Sequence, residues 1–268
     1  MGYWYAGKWV EGDQISLSIF DPSFLFGATI FTTLRVYGQS LTDPRTLWQR
    51  HGDRLRNTVT KMGWPEPNWS SVTDGAKRVA ADYPVVRITL LSDGRELILG
   101  RALPPQLAEK QQQGIKVWLA GDRRYSRSLA DFKTGNYLGA WQAMQQAKQQ
   151  GADEAILLNE NGIWLETTTG NLWGFTAGKW YTPPASAGDI LPGVMRAHLL
   201  EQLQQSGEIV REKLWDAALV KQFEAIAYSN SVVGVIPCTE ILDTNRIISF
   251  SATHPAIRKL QQLSKKFG

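Results

Sequence analysis

The chain has 268 residues, of which 43% are hydrophobic and 20% are charged, with a net charge of +4 and a pI near 9.1. The lysines and arginines are scattered rather than clustered, which disfavours a nucleic acid or a membrane surface as partner and favours a small anionic substrate. The length exceeds that of a typical single domain, so we predict two domains of roughly 100 to 150 residues each.

Several protein classes and site types are disfavoured by composition. Cys238 is the only cysteine, which excludes an internal disulfide and indicates a reducing compartment. No basic region followed by an apolar stretch opens the chain, and no apolar run reaches membrane-spanning length, so we expect a cytoplasmic protein. His51, His198 and His254 lie far apart in sequence, and we therefore expect no metal site.

The first part of the chain predicts alternating strands and helices. Ala6-Gly7-Lys8 predicts a turn between two short strands, and the β-branched run from Ile30 to Val36 predicts another strand. Apolar residues at helical spacing predict a helix over Leu47 to Met62. Asn68 is a candidate cap for a second helix that ends near Ala81.

A hairpin and a domain boundary are predicted next. Val85 to Leu91 and Glu96 to Leu99 flank the turn residues Ser92-Asp93-Gly94-Arg95. Pro104-Pro105 then interrupts the pattern before a predicted strand over Ile115 to Ala120. We place the boundary within this stretch and predict an N-terminal α/β domain of residues 1–112 and a C-terminal domain of residues 113–268.

The second part of the chain predicts helices that alternate with strands. Gly151 is a typical stop for a helix over Tyr137 to Gln150, and a hairpin follows across Asn159 to Gly162. A helix over Val194 to Gln205 follows Pro192-Gly193. A strand over Ala225 to Tyr228 is expected to end in the turn Ser229-Asn230-Ser231, and His254 to Phe267 predicts a terminal amphipathic helix.

Two further segments carry residues that suit cofactor chemistry. Lys133, in Lys133-Thr134-Gly135-Asn136-Tyr137, has an amine that could form a Schiff base, and Glu166, in Glu166-Thr167-Thr168-Thr169-Gly170-Asn171, has a carboxylate that could hold a pyridinium nitrogen. By residue type alone, a solvated surface lysine and an exposed strand-end carboxylate are the more common roles.

Three further segments could bind a phosphate. Pro192-Gly193 precedes a helix, whose first amides and positive dipole end favour an anion. The turn Ser229-Asn230-Ser231 offers hydroxyls and amides, although such residues are ordinary in turns. Arg54 has a guanidinium suited to a phosphate dianion, and a helix-surface salt bridge is its commoner role.

Taken in order, these motifs resemble those of the class IV aminotransferase family. That family contains branched-chain aminotransferases, D-amino acid aminotransferases and 4-amino-4-deoxychorismate lyases. The resemblance covers nearly the whole chain through six segments: Phe26 to Val36, His51 to Leu55, Lys133 to Leu138, Glu166 to Leu172, Pro192 to Arg196 and Ser229 to Pro237.

The resemblance implies a pyridoxal 5′-phosphate (PLP) enzyme of fold type IV, with a smaller N-terminal α/β domain and a larger C-terminal pseudo-barrel domain, assembled as a homodimer. Lys133 would hold PLP as a Schiff base and act as the catalytic base, and Glu166 would pair with the pyridine nitrogen. The implied phosphate ligands are Arg54, the amides of Val194 and Met195, and Ser231. Tyr137 is a weaker candidate near the phenolic oxygen of the cofactor.

Within the family, Phe31-Thr32-Thr33 resembles the lyase branch, because the transaminases tend to carry an acidic residue where Thr32 stands. The implied reaction converts 4-amino-4-deoxychorismate to 4-aminobenzoate and pyruvate in folate biosynthesis. The alternatives are an aminotransferase that acts on branched-chain or D-amino acids, and a non-catalytic PLP-binding protein.

The resemblance leaves the substrate ligands open. A Gly- and Arg-rich loop usual in lyases and D-amino acid enzymes is shortened here after Leu91. Five arginines are candidates for a substrate carboxylate, although a surface position is the ordinary one for each. They are Arg87, Arg95, Arg101, Arg123 and Arg124.

Overall fold

The computed structural model describes residues 2–243 and 246–267, which form two compact units. The first unit contains residues 2–104, 132–136 and 267, and the second contains residues 105–131, 137–243 and 246–266. The second unit begins eight residues before the boundary predicted at 112/113, and residues 132–136 belong to the first unit. The domain assignment 1–112 and 113–268 stays a prediction.

The first unit is built on a five-stranded antiparallel sheet with the strand order β2-β1-β5-β4-β3. Its strands are β1 (Gly2–Tyr5), β2 (Lys8–Glu11), β3 (Thr29–Arg35), β4 (Val85–Leu91) and β5 (Glu96–Arg101). Its helices are α1 (Pro22–Leu25), α2 (Trp48–Met62) and α3 (Trp69–Ala80), with a 3-10 turn at Pro44–Thr46.

Local sequence accounts for the ends of the two long helices. Gly63, at φ 65°, ends α2 in the left-handed conformation that glycine favours. Asn68 caps α3 by accepting hydrogen bonds from the amides of Ser70 and Ser71. Buried apolar residues of both helices pack with Ile30, Leu34 and other residues of the sheet into one core. The helices and the hairpin expected in this part of the chain are confirmed, with ends within one or two residues.

The segment 132–136 is attached to the edge strand β3. The amide of Phe31 donates to the carbonyl of Lys133 at 2.8 Å, and the amide of Gly135 donates to the carbonyl of Thr29 at 2.6 Å. Thr134 lies opposite Ile30 in an antiparallel bridge. Because neighbouring residues of an extended segment point to opposite sides, Lys133 lies on the face that Phe31 occupies rather than on the face that packs against α2.

The second unit contains the remaining elements. Its strands are β6 (Ile115–Ala120), β7 (Glu154–Leu158), β8 (Trp164–Thr167), β9 (Asn171–Thr176), β10 (Lys179–Thr182), β11 (Ile209–Glu212), β12 (Ala225–Asn230), β13 (Gly234–Asp243) and β14 (Arg246–Ser249). Its helices are α4 (Leu107–Gln113), α5 (Leu138–Gln149), α6 (Val194–Gln205), α7 (Ala217–Val220) and α8 (Pro255–Leu263), with 3-10 turns at Arg123–Tyr125 and Ala185–Ala187.

These strands form one mixed sheet with the order β11-β10-β9-β12-β13-β6-β7-β8, and β14 pairs with β13. Three pairs are parallel, namely β10 with β11, β6 with β13 and β6 with β7. The α/β class predicted from the order of strands and helices and from the family resemblance is confirmed. Across residues 2–243 and 246–267, no helix combines the length and the apolar character that crossing a membrane requires.

Two local predictions differ from the structure in the second unit. The terminal helix predicted over His254 to Phe267 ends at Leu263. Ser229 and Asn230 were expected to form a turn, but they continue β12, where Ser229 pairs with Asn171 of β9 and with Val235 of β13. The indole Nε1 of Trp173 donates to the Ser229 hydroxyl at 2.9 Å. Strand pairing on both sides therefore outweighs the turn preference of these polar residues.

Candidate active site

Lys133 lies over the ring of Phe31 in the first unit. Its Nζ is 4.7 Å from the ring centroid, and the guanidinium carbon of Arg87 is 3.5 Å from the same centroid. Arg87 pairs with Thr33 in the β3–β4 ladder, so its side chain shares the face of the sheet that Phe31 occupies. Both distances end at the same ring centroid, so the Lys133 amine and the Arg87 guanidinium lie at most about 8 Å apart.

The opposite face of β3 carries a buried polar network. The Arg54 guanidinium donates to the Thr32 hydroxyl at 2.5 Å, and the Thr32 oxygen is 2.6 Å from Nδ1 of His51. Thr32 and His51 are both fully buried. Helix α2 supplies Arg54 and His51 three residues apart, a spacing that places both side chains on one helix face towards Thr32.

His51 is held in its neutral form. Burial lowers its pKa well below the usual value, and the positive charges of Arg54 and Lys133 lower it further. Thr32, whose oxygen already accepts from Arg54, can then donate its own proton to Nδ1 of the neutral ring. The network therefore fixes the Arg54 side chain through two neutral groups.

In the second unit, Glu166 is a buried carboxylate with donors on both oxygens. Its Oε2 accepts from the Leu191 amide at 3.2 Å and from the Asn171 side-chain amide at 3.4 Å. Its Oε1 forms a short hydrogen-bonded ion pair with Arg127. Only 4% of Glu166 is exposed. Burial of an ion costs on the order of several kcal/mol, and these donors compensate that cost.

Arg127 was missed by the sequence analysis. It stands six residues before Lys133 in a stretch without a recognisable pattern, and its side chain is only 5% exposed. Its guanidinium also donates to the Ala130 carbonyl at 3.2 Å and lies 4.6 Å from the ring centroid of Tyr137. No signal in a single sequence distinguishes it from the neighbouring Arg123 and Arg124, since its role depends on contacts with Glu166 across the fold.

The start of α6 is available for an anion. The helix begins at Val194 after Gly193, a cap residue that brings no side-chain acceptor to the first amides. A Cβ atom at Gly193 would lie 2.1 Å from the Asn171 carboxamide oxygen, so only glycine allows this close approach. Asn171 also donates to the Leu191 carbonyl at 2.8 Å. The loop that leads into α6 is thereby attached to the residue that contacts Glu166.

Ser231 lies just beyond β12, in a turn held by Asn230, whose side-chain oxygen accepts from the amides of Val232 and Val233 at 2.9 and 3.0 Å. Ser229, two residues earlier, pairs with Asn171. The second unit thus gathers the ends of β8 and β12, the beginning of β9 and the start of α6. Glu166, Val194, Met195 and Ser231 all belong to this unit, and Lys133 and Arg54 belong to the first.

The sequence was compared with known proteins and families. It matches the profile of the family described as Amino-transferase class IV over residues 29–241. An aminodeoxychorismate lyase of Vibrio harveyi is 26% identical over 262 residues, which cover 90% of this chain and 94% of the relative. A D-alanine aminotransferase of Bacillus licheniformis is 25% identical over 276 residues, which cover 96% of this chain and 93% of the relative.

A solved structure is similar over almost the full length of both chains. It is the PLP-bound form of a hypothetical aminotransferase from Mycobacterium tuberculosis, with a TM-score of 0.82 and 18% identity, and it covers 99% of this chain and 98% of its own. This likeness supports the expected fold type IV architecture. Because the profile spans far more than half of the sequence, the chain belongs to the class IV aminotransferase family.

Proposed function

We propose that this protein is a PLP-dependent lyase that converts 4-amino-4-deoxychorismate to 4-aminobenzoate and pyruvate. The observation that carries the proposal is Thr32. A neutral hydroxyl contacts Arg54 and His51 at the position where the transaminases of the family tend to carry an acid, according to the motif resemblance. The similarity to the aminodeoxychorismate lyase of Vibrio harveyi supports the same choice.

The residues present fit PLP, the cofactor of this family. Glu166 is a buried acceptor suited to a protonated ring nitrogen, and the first amides of α6, those of Val194 and Met195, are suited to a phosphate. Arg54 and Ser231 would add donors to the phosphate, and Lys133 would attach the cofactor covalently. Arg127 would hold the Glu166 carboxylate in place through their ion pair.

The chemistry divides between the cofactor and the chain. When bound, PLP supplies an electron-accepting ring that makes a C–H bond beside the substrate nitrogen acidic. Lys133 is the group of this chain that would take the proton from the ring carbon bearing the amine. Overall, that C–H bond and the C–O bond to the enolpyruvyl group break, the ring becomes aromatic, and the released enolpyruvate tautomerises to pyruvate. No amino acceptor takes part.

Among the five candidate arginines, Arg87 is the one we propose as ligand of a substrate carboxylate. Arg95 is bonded to Asp21 and Asp93, and Arg124 is paired with Asp122 at 2.9 Å. Arg87 lies half-buried over Phe31, close to the Lys133 amine, and its Nε donates to the Thr89 hydroxyl at 3.3 Å. A guanidinium at this position suits a carboxylate through paired hydrogen bonds.

The principal alternative is a transaminase, which the similarity to the D-alanine aminotransferase of Bacillus licheniformis favours. Purified protein would be incubated with 4-amino-4-deoxychorismate, with and without a 2-oxo acid. We expect multiple turnovers to 4-aminobenzoate and pyruvate without any acceptor. Product formation that requires a 2-oxo acid would contradict the lyase proposal. So would a protein that transaminates D-alanine or branched-chain amino acids but does not turn over 4-amino-4-deoxychorismate.

The PLP absorbance band and the turnover assay together distinguish an enzyme from a non-catalytic PLP-binding protein. We expect added PLP to give a visible absorbance band that survives gel filtration and is lost in Lys133→Ala. A stable band without turnover of any of these substrates would favour the non-catalytic alternative. The homodimer and the cytoplasmic location expected from the resemblance and the composition stay predictions.

A further inference from the structure

A second glutamate of the second unit lies buried behind the loop that joins Glu166 to Asn171. Glu154 is the first residue of β7 and is 2% exposed. Burial raises its pKa, while its hydrogen bonds lower the pKa in part. Its charge also contributes to raising the pKa of two buried neighbours, Tyr228 and Cys238, for which burial is the main cause. No role proposed above uses this group.

The hydrogen-bond donors of Glu154 come from its own strand and from the loop. The amide of Ala155 donates to Oε1 at 2.9 Å, and the Thr168 hydroxyl makes a short hydrogen bond to the same oxygen. The Thr169 hydroxyl donates to Oε2 at 2.6 Å. The amide of Thr168 also donates to the Ala155 carbonyl at 3.0 Å. The loop is therefore attached to β7 through two hydroxyls and one backbone bond.

The loop, Thr167–Gly170, is a tight turn that we call the threonine turn. The Thr167 amide donates to the Gly170 carbonyl at 2.8 Å, and the Gly170 amide donates to the Thr167 hydroxyl at 2.9 Å. On its other side the turn meets β12, because a Cβ atom at Gly170 would lie 2.3 Å from the Ser229 carbonyl oxygen. Little room remains for the turn to move towards β12, and Glu154 restrains it from the side of β7.

Glu166 and Asn171 are the residues directly before and after this turn, and they contact each other through the Asn171 side-chain amide. A displacement of the turn would therefore move both partners of this hydrogen bond. From this arrangement we infer that Glu154 is a positioning residue, which holds the threonine turn so that Glu166 presents its carboxylate in the orientation required by the cofactor. The inference rests on the proposed role of Glu166.

The test compares cofactor spectra rather than activity alone. Glu154→Gln keeps the shape of the side chain but removes the charge and one of the two acceptor oxygens, so one threonine hydroxyl loses its partner. Thr169→Val removes one hydroxyl with little change in volume, and because Thr169 is exposed the variant should still fold. Thr169→Ser keeps the hydroxyl. The matched control is Glu240→Gln, a partly exposed strand glutamate paired with Lys116.

The readouts are the PLP Kd, measured by fluorescence quenching of the apoprotein, and the midpoint pH at which the visible band changes. We expect Glu154→Gln to raise the Kd about tenfold, at the lower end of what outer-shell partners contribute at metal sites. The midpoint should move by about half a pH unit or more, in the direction of Glu166→Gln. Thr169→Val should give a smaller shift of the same sign, Thr169→Ser should restore it, and Glu240→Gln should leave both readouts unchanged.

A double-mutant cycle separates positioning from a general loss of stability. Once Glu166 is replaced by Gln, adding Glu154→Gln should change the midpoint no further. An equal shift in both backgrounds, or a Glu154→Gln variant that unfolds at lower temperature while its Kd and midpoint match the wild type, would overturn the inference. If the wild type shows no PLP band, or keeps it after Lys133→Ala, the proposed function falls and this inference with it.

Discussion

The contact between Gly193 and Asn171 allows a single-atom test of the second unit. Gly193 has φ −66° and ψ 142°, which alanine adopts without strain. Replacing glycine by alanine also lowers the entropy of the unfolded chain, so the effect of the added methyl group is the difference between Gly193→Ala and a matched glycine-to-alanine control. That methyl carbon would lie 2.1 Å from the Asn171 side-chain oxygen, whereas Cβ contacts below 3.0 Å essentially never occur.

The size of the effect follows from these distances. The Asn171 carboxamide must move by at least about 0.9 Å, or the loop that contains Gly193 must move away from it. Either movement strains the 2.8 Å hydrogen bond from Asn171 to the Leu191 carbonyl and loosens the contact with Glu166. Overpacking and the loss of one buried hydrogen bond each destabilise by about 1–3 kcal/mol, so we expect a loss in this range or somewhat above it.

The assay is urea unfolding of the apoprotein, followed by tryptophan fluorescence. Gly121→Ala is the matched control, because an added Cβ there meets no atom within 4 Å and its φ lies outside the left-handed range. Asn171→Ala removes the clashing oxygen, so the double variant should be no less stable than Asn171→Ala alone. We further expect Gly193→Ala to weaken PLP binding, since the displaced loop leads into α6.

Two results would refute the reasoning. One is a Gly193→Ala variant as stable as Gly121→Ala, which would mean that the loop accommodates a methyl group without cost. The other is strict additivity in the double variant, because two residues in contact should show coupling of about 0.5–3 kcal/mol.

Three other predictions concern the first unit. Thr32→Val should lower the free energy of unfolding by about 1–3 kcal/mol and weaken PLP binding, because Arg54 and His51 both lose a buried partner. Thr32→Ser should restore the stability and the PLP affinity. Chemical denaturation measures the first and PLP titration the second. Burial and nearby cations lower the pKa of His51, so the unfolded chain binds a proton that the folded chain does not, and stability attributable to His51 falls as the pH drops below about 6.5, by up to about 1.4 kcal/mol per pH unit. Urea unfolding between pH 8 and 5 should give a shallower slope for His51→Gln, and an unchanged slope would contradict a neutral buried histidine. Arg87→Gln should raise KM for 4-amino-4-deoxychorismate by about 10- to 100-fold, because a charge-assisted hydrogen bond is lost. Replacing the exposed Arg101 in Arg101→Gln should leave KM within twofold. Equal KM values for the two variants would show that Arg87 does not bind the substrate.

Local signals in the sequence were sufficient for most elements. Asn68 at the start of α3, Gly63 and Gly151 after helices, and the Ala6-Gly7 turn each act through their own backbone or side chain within a few residues. Such effects are visible in a single chain. The Ser229-Asn230 prediction failed because its outcome depended on partners in β9 and β13, which lie far away in sequence.

The same distinction separates the predicted site residues from the missed ones. Lys133, Glu166 and Arg54 were found because they stand inside motifs, whereas Arg127 and Glu154 have no pattern around them and become recognisable only through what they contact. Both are charged side chains that the fold buries beside Glu166 or behind its loop. Burial of a charge costs several kcal/mol, on the order of the effective penalty per ion, unless compensating groups are placed around it. A charged residue that is buried without belonging to any motif is therefore where a structure adds the most to a functional assignment made from sequence.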